Sequence, residues 1–397
     1  MVRHPARILW QKGHPPMPAT LLPHPPPLVT RLLGHQLPMR ATQVRRTAHV
    51  LLVLAGLLAA GACLGANDAA TTTAPVKVFI LAGQSNMEGK AKLSLLDVQV
   101  NAPETRDIFA HLRTQGHYIV CDHVWINFLD GHGMLTVGYG SPGAFGPELE
   151  FGIVMGERFS QPVLLIKTAW GGKSLGRDFR PPSAGLPTPE RLQQELTEAN
   201  ARLRAHPDPQ HPGPLTLEDI PRPYGQSYRD MIAEVRTVLR DLPARFPDYH
   251  GQGYDIAGLV WFQGWNDLFT PDFVSSYAAT LTHLIHDVRS EFGVPRMPVV
   301  IGQMGQDGLK ATGTLVQIKA AQAAVAERPE FAGTVALVRT DVFWDAKAAA
   351  LVNTWEQHKA EWDKVGSDYG YHYLGSALTY ANIGMAFGQA MSALIPR

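Results

Sequence analysis

Cysteine is nearly absent from this chain: its 397 residues include two, Cys63 and Cys121. Two cannot build a disulfide framework, so folding must rest on an apolar core. Net charge is absent as well, because 35 Lys and Arg balance 35 Asp and Glu. Without a long-range field, and without a Lys/Arg block inside the globular part, nucleic acid is not an expected partner. No internal repeat runs at a solenoid or propeller period. The apolar run at 50–60 falls short of the ~20 residues needed to cross a bilayer, so no stable membrane span is expected. What is abundant is core material: 45% of residues are hydrophobic and 18% charged, a globular composition.

The N-terminus divides into unlike pieces. Residues 1–38 are rich in Pro, His and Arg without periodicity, and read as disordered or as a mis-chosen start. From Met39 the order is that of a signal peptide at 39–66: Arg40, Arg45 and Arg46, then the apolar run, then small residues ending Gly61-Ala-Cys-Leu-Gly-Ala66. An exported protein is expected, periplasmic or extracellular; Ala60-Gly-Ala-Cys63 also allows a lipid anchor. A polar linker at 67–75 leads to one domain at 76–397.

That domain alternates apolar β-branched runs with longer helical stretches, the pattern of a parallel sheet covered on both faces. Strands are expected at 76–81, 163–168, 256–262, 298–303 and 334–339, each nearly continuous in apolar residues. Helices are expected at 146–159, 191–205, 227–242, 272–292, 313–327 and 374–394. Two insertions, at 90–145 and 171–224, are long enough to be functional loops, and are assigned to the walls of a substrate cleft.

Polar residues then stand where the apolar strands end. Gly83-Gln-Ser-Asn86 follows the first strand, which places Ser85 at the carboxyl edge of the sheet, where open α/β folds bind ligands. A serine there is ordinarily a helix cap, and Met87 rules out the Gly-x-Ser-x-Gly elbow. Gly171-Gly172 ends the second strand and offers backbone amides to a ligand; Lys173-Ser174 does not complete a phosphate loop, since Lys167 stands at the upstream glycine position. Trp261-Phe-Gln-Gly-Trp-Asn-Asp267 ends a buried strand in polar side chains that must bond something. Before the last helix, Ser367-Asp-Tyr-Gly-Tyr-His372 supplies an imidazole with a carboxylate nearby, which is what a serine needs to become a nucleophile.

Taken jointly and in this order, the four segments resemble the SGNH hydrolases. Gly83-Gln-Ser-Asn-Met87 with Trp261-Phe-Gln-Gly264 resembles, within them, the sialate O-acetylesterase-like branch that includes carbohydrate acetylesterases and acetylxylan esterases. The resemblance covers roughly residues 76–394. It implies a flavodoxin-like three-layer α/β sandwich with a five-stranded parallel sheet, and a serine esterase removing O-acetyl groups from glycans. Ser85 is then nucleophile, His372 base and Asp368 acid, with the Ser85 amide, Gly171 or Gly172, and Asn266 holding the oxyanion. Gln84, Asn86, Gln263, Trp265 and Lys173 are the expected substrate-binding residues. No metal or organic cofactor is expected, and no oligomeric state is implied.

Two positions depart from the pattern. Asp368 lies four residues before His372 instead of three, so Asp267 or Asp341 is an alternative acid, or the pair works as a dyad. Trp265 stands where many acetylesterases of this branch carry Glu. Among weaker candidates, His111, His117, His123 and His132 lack metal-ligand spacing, and Trp170, Lys173, Arg177, Asp178 and Trp265 suggest a sugar platform with a polar rim. Two rival functions remain: a non-catalytic glycan-binding protein on a worn hydrolase scaffold, and a general lipase or arylesterase favouring longer acyl chains.

Overall fold

The computed structural model describes residues 74–208 and 213–396. The expected signal peptide at 39–66 and residues 1–38 lie outside the described residues, as does most of the expected linker. The sheet contains seven strands: β1 (Val76–Gly83), β2 (Val124–Phe128), β3 (Gly131–Met134), β4 (Val163–Ala169), β5 (Tyr254–Phe262), β6 (Val299–Gln303) and β7 (Val335–Arg339). Their spatial order is β7-β6-β5-β1-β4-β2-β3. All neighbours pair parallel except β2 with β3, which form an antiparallel hairpin.

The five strands expected from the apolar runs are β1, β4, β5, β6 and β7, in flavodoxin-like order. The count of five is corrected to seven, because the insertion at 90–145 folds its own hairpin onto the edge of the sheet beside β4. Hydrogen bonding explains the gain: β2 pairs along the otherwise open edge of β4, and every residue of β2 is buried.

The longer helices are α1 (Glu148–Arg158), α2 (Pro189–Ala205), α3 (Gln226–Arg240), α4 (Pro271–Glu291), α5 (Thr314–Ala326) and α6 (Ala377–Leu394), and all but α2 flank the sheet. Successive side chains of a strand point to opposite faces, and β1 shows the result. Val76, Val78, Ile80 and Ala82 join one core with Met231 and Val235 of α3, Leu281 and Leu284 of α4, and Ile318 of α5. Phe79 and Leu81 join the other with Leu149 and Met155 of α1 and Ile383, Phe387 and Met391 of α6. These β1 side chains are fully buried, and all but Ala82 contribute roughly 1.5–3 kcal/mol each by leaving water. The consequence is a rigid three-layer body whose strand ends are fixed in space. α2, within the second insertion, lies apart with a small cluster of Leu192, Ile220 and Tyr224. Thr188 caps it by accepting from the Arg191 amide.

Candidate functional site

β1 ends against β5 so tightly that only glycine fits at 83: a Cβ there would run into the carbonyl oxygen of Phe262. The chain then turns into the single helical turn Ser85–Glu88, and Ser85 is 6% exposed. Behind that turn sits Lys167, a fully buried lysine on β4. Its ammonium donates to the carbonyl oxygens of Glu88 (2.7 Å) and Tyr139 and to Glu148 Oε2 at 3.0 Å. Glu148 in turn accepts from the Gly146 amide at 2.9 Å. Burial pulls the Lys167 ammonium below its ordinary range, and the Glu148 carboxylate pulls the other way.

The neighbours of Ser85 are occupied with the other segments. Gln84 donates through Nε2 to Asn266 Oδ1 at 3.1 Å, while its Oε1 accepts from Gln263 Nε2 (3.2 Å) and from the Gly264 amide (3.1 Å). Asn86 donates through Nδ2 to the Tyr371 carbonyl at 3.1 Å and accepts from Tyr380 at 2.8 Å. Gln263 gives Nε2 to Asp267 (2.6 Å) and to the Lys173 carbonyl (3.0 Å), and Tyr277 donates to its backbone carbonyl at 2.8 Å. All three amide side chains are at most 2% exposed. The structure therefore places Gln84, Asn86 and Gln263 behind the cleft, spent on protein partners, and not on a surface where substrate can lie.

Asn266 differs. Its Oδ1 is taken by Gln84, and Nδ2 gives one hydrogen to the Gly172 carbonyl at 2.8 Å, so the second amide hydrogen is free to point outward. Gly171 and Gly172 are exposed, and a Cβ on Gly171 would stand 3.8 Å from Ser85 Cβ. Among the described residues, no protein group accepts from the amides of Ser85, Gly171 or Gly172. The loop after them is pinned by Asp267, whose carboxylate accepts from the amides of Leu175 (2.9 Å) and Gly176 (2.8 Å). Burial dominates the Asp267 carboxyl and pushes its pKa up to about 6 against those donors.

His372 and Asp368 share a tight turn. Tyr373, Leu374 and Gly375 all have positive φ, at 51°, 61° and 59°. Two non-glycine residues in that region are costly, by roughly 1–2 kcal/mol each, and Gly375 has no room for a Cβ beside Ser367 and the Asp368 amide. What holds the turn is Tyr373, fully buried, which accepts from the Gly305 amide at 2.8 Å and pairs with Thr340 Oγ1 at 2.6 Å. Asp368 Oδ1 thereby comes within 3.1 Å of His372 Nδ1. The approach is oblique, so Nδ1 lacks a well-aligned hydrogen bond. Burial raises the Asp368 pKa, but the His372 ring more than offsets it, and the carboxyl lies below its ordinary range.

Neither alternative acid is available. Asp267 is committed to the glycine loop, and Asp341 is paired with Lys319 (2.8 Å) and Arg339 (3.1 Å).

A model of the carbohydrate esterase, sialic acid-specific acetylesterase family matches residues 75–341. The chain belongs to that carbohydrate esterase family. Among solved structures, it is similar to a protein from Arabidopsis thaliana at 14% identity, covering 80% of this chain and 98% of that one, with a TM-score of 0.43. A carbohydrate acetylesterase from Xanthomonas citri matches at 13% identity over 79% of this chain and 55% of its own, with a TM-score of 0.41. NanS matches at 13% over 67% and 79%, with a TM-score of 0.38. No curated protein matches the chain.

In this carbohydrate esterase the remaining expected residues fall in different places. Trp265 is half-buried and leans on Tyr371, ring centroids 5.9 Å apart. Lys173 stands 3.4 Å from Asp178, which also takes the Ser174 amide and hydroxyl and so closes its own loop. Trp170 packs on Phe179. His111 pairs with Glu150, and His123 with Asp122. Among the described residues, no three His, Cys, Asp or Glu stand together as a metal cluster, and no helix is long and apolar enough to cross a membrane.

Sequence reading missed the Lys167–Glu148 pair. The signal was there: a lysine inside an otherwise apolar buried strand must have a partner.

Proposed function

We propose that this carbohydrate esterase removes O-acetyl groups from glycans with Ser85 as nucleophile, His372 as base and Asp368 orienting the base. The observation that carries this reading is the position of the two residues flanking Ser85: Gln84 holds Asn266, and Asn86 holds the turn of His372. One short segment thus sets a nucleophile, an amide donor and an imidazole in fixed relation, the preorganisation that acyl transfer requires.

With Nδ1 beside Asp368, Nε2 is the nitrogen left to take the serine proton. Ser85 Oγ attacks the acetyl carbonyl carbon while its proton passes to His372. The amides of Ser85 and Gly172 and the free hydrogen of Asn266 Nδ2 receive the oxyanion. The sugar hydroxyl leaves with the proton from His372. Water, deprotonated by the same imidazole, then releases acetate and restores Ser85. The oblique Asp368–His372 contact becomes aligned as positive charge develops on the ring.

Ser85→Ala is expected to abolish acetate release from acetylated sugars and hydrolysis of nitrophenyl acetate, and to prevent labelling by a fluorophosphonate probe. Full activity in that variant overturns the mechanism; a wild-type protein that neither labels nor hydrolyses is a glycan-binding protein instead. The signal peptide reading places this activity outside the cytoplasm, and the mature N-terminus of secreted protein, read by mass spectrometry, tests it.

A further inference from the structure

The single turn that carries Ser85 ends on Glu88, and the carboxylate of that residue stands close to the reacting groups. A Cβ built on Gly171 would lie 3.4 Å from Glu88 Oε2 and 3.8 Å from Ser85 Cβ, so carboxylate and serine flank one point beside the glycine loop. The amides of Gly171 and Gly172 have no protein acceptor among the described residues, which leaves them for an oxyanion. A carboxylate at this range repels the negative charge that develops on the acetyl oxygen. In a cleft that excludes most water, the repulsion acts at an effective dielectric well below that of bulk solvent.

Two side chains answer that charge. Lys90 Nζ lies 3.2 Å from Glu88 Oε2, and Ser141 donates to Glu88 Oε1 at 2.6 Å while accepting from the same ammonium at 2.6 Å. Both charged side chains are 17% exposed. An open surface pair contributes little, but a mostly covered one is weakly screened. The backbone around the ammonium is fixed. Ala91 and Lys92 pair with Phe145 and Ala144, and the Ser141 amide donates to the Gly89 carbonyl at 3.1 Å. Gly89, at φ 99°, packs on Gly146 with no room for a Cβ. The Lys92 amide also donates to Ser367 Oγ at 3.2 Å, at the foot of the turn that carries Asp368 and His372. Lys167 does not share the task, since its ammonium is closed on Glu148 and meets Glu88 through the carbonyl oxygen. Asp368 feels the Lys90 charge as well: burial raises its pKa, and Lys90 adds to the His372 ring and the Tyr369 amide in outweighing that burial.

We propose that Lys90 is a positioning residue of this esterase: its ammonium cancels the Glu88 carboxylate beside the oxyanion pocket, so that the charge developing on the acetyl oxygen meets a neutral wall. The inference rests on the esterase reading above and adds to it a residue, outside the triad and the oxyanion donors, on whose charge the rate depends.

The test uses nitrophenyl acetate, an uncharged substrate. Lys90→Gln keeps a donor for Ser141 and removes the cation; kcat is expected to fall by about tenfold or more, with KM within about twofold of wild type. Glu88→Gln keeps an acceptor for Ser141 and removes the opposing charge; kcat is expected to rise by about twofold to fivefold. Lys90→Arg retains the cation and is expected to keep at least about a third of the wild-type kcat. Opposite signs from two substitutions in one pair separate charge from scaffolding, because loss of a merely structural contact lowers both. A wild-type kcat in Lys90→Gln, or a kcat at or below wild type in Glu88→Gln, overturns the proposal while the esterase stands. Either variant decides by itself should the other fail to fold. If the wild-type protein does not hydrolyse nitrophenyl acetate at all, the esterase reading falls first and this role of Lys90 falls with it.

Discussion

At the scale of single residues, the site depends on polar side chains that never meet solvent. Gln84, Asn86 and Gln263 each join segments far apart in sequence, and their value is geometric. Asp368 is the position whose role is most open to measurement, since it touches the imidazole from an oblique angle. Asp368→Asn keeps the shape and removes the charge. It is expected to lower kcat by about 10²–10⁴ with little change in KM, the magnitude seen when a triad carboxylate becomes an amide. A wild-type kcat in this variant would mean that Ser85 and His372 work as a dyad. The candidate site residues stood out in the sequence because Ser85, Gly172, Asn266 and His372 each belong to a recognisable segment. Side-chain direction was not: whether Gln84 looks at substrate or at Gly264 depends on which strand lies next to β1, and the local sequence carries no record of that.

At the scale of elements, β4 and the turn after β1 act as one unit through Lys167. The ammonium binds the carbonyl oxygen of Glu88 at the end of that turn and Tyr139 in the first insertion, so a strand, a turn and a loop share one cation. Lys167→Met leaves Glu148 buried without its counter-charge, and a loss of about 3–5 kcal/mol is expected. Lys167→Met with Glu148→Gln should recover part of it, since no buried charge then remains. Urea midpoints measure both, and equal stabilities of wild type and single variant would refute the pairing. The five core strands were readable as continuous apolar runs buried on both faces. The hairpin of β2 and β3 was not. Asn127 interrupts β2, and its burial is made tolerable by Glu234 and Arg245 from elsewhere in the chain. β3 reads Gly131-His-Gly-Met134, with no strand pattern of its own.

At the scale of the whole molecule, Asp267 couples the site to acidity. Its folded pKa of about 6 lies above the ~3.9 of a solvated aspartate. Between those two values the folded chain holds a proton that the unfolded chain has released, so stability falls as pH rises through that window. The shift corresponds to about 3 kcal/mol once both states are ionised. Asp267→Asn cannot titrate. Its amide also faces the donors at Leu175 and Gly176, so it costs stability of its own, but that cost is independent of pH. Relative to the variant, wild type is therefore expected to lose about 2 kcal/mol between pH 4 and pH 7. Parallel curves for the two proteins would show that Asp267 is not the titrating group.

The turn through Tyr369 to Gly375 also sets a timetable. Asn86 and its partner Tyr371 are 285 positions apart, and the imidazole arrives with the second of them. A polypeptide emerging from the ribosome shows Ser85 long before His372, which lies just ahead of α6. On the proposed mechanism, hydrolytic capacity is therefore gained only when the segment carrying His372 has folded against Asn86.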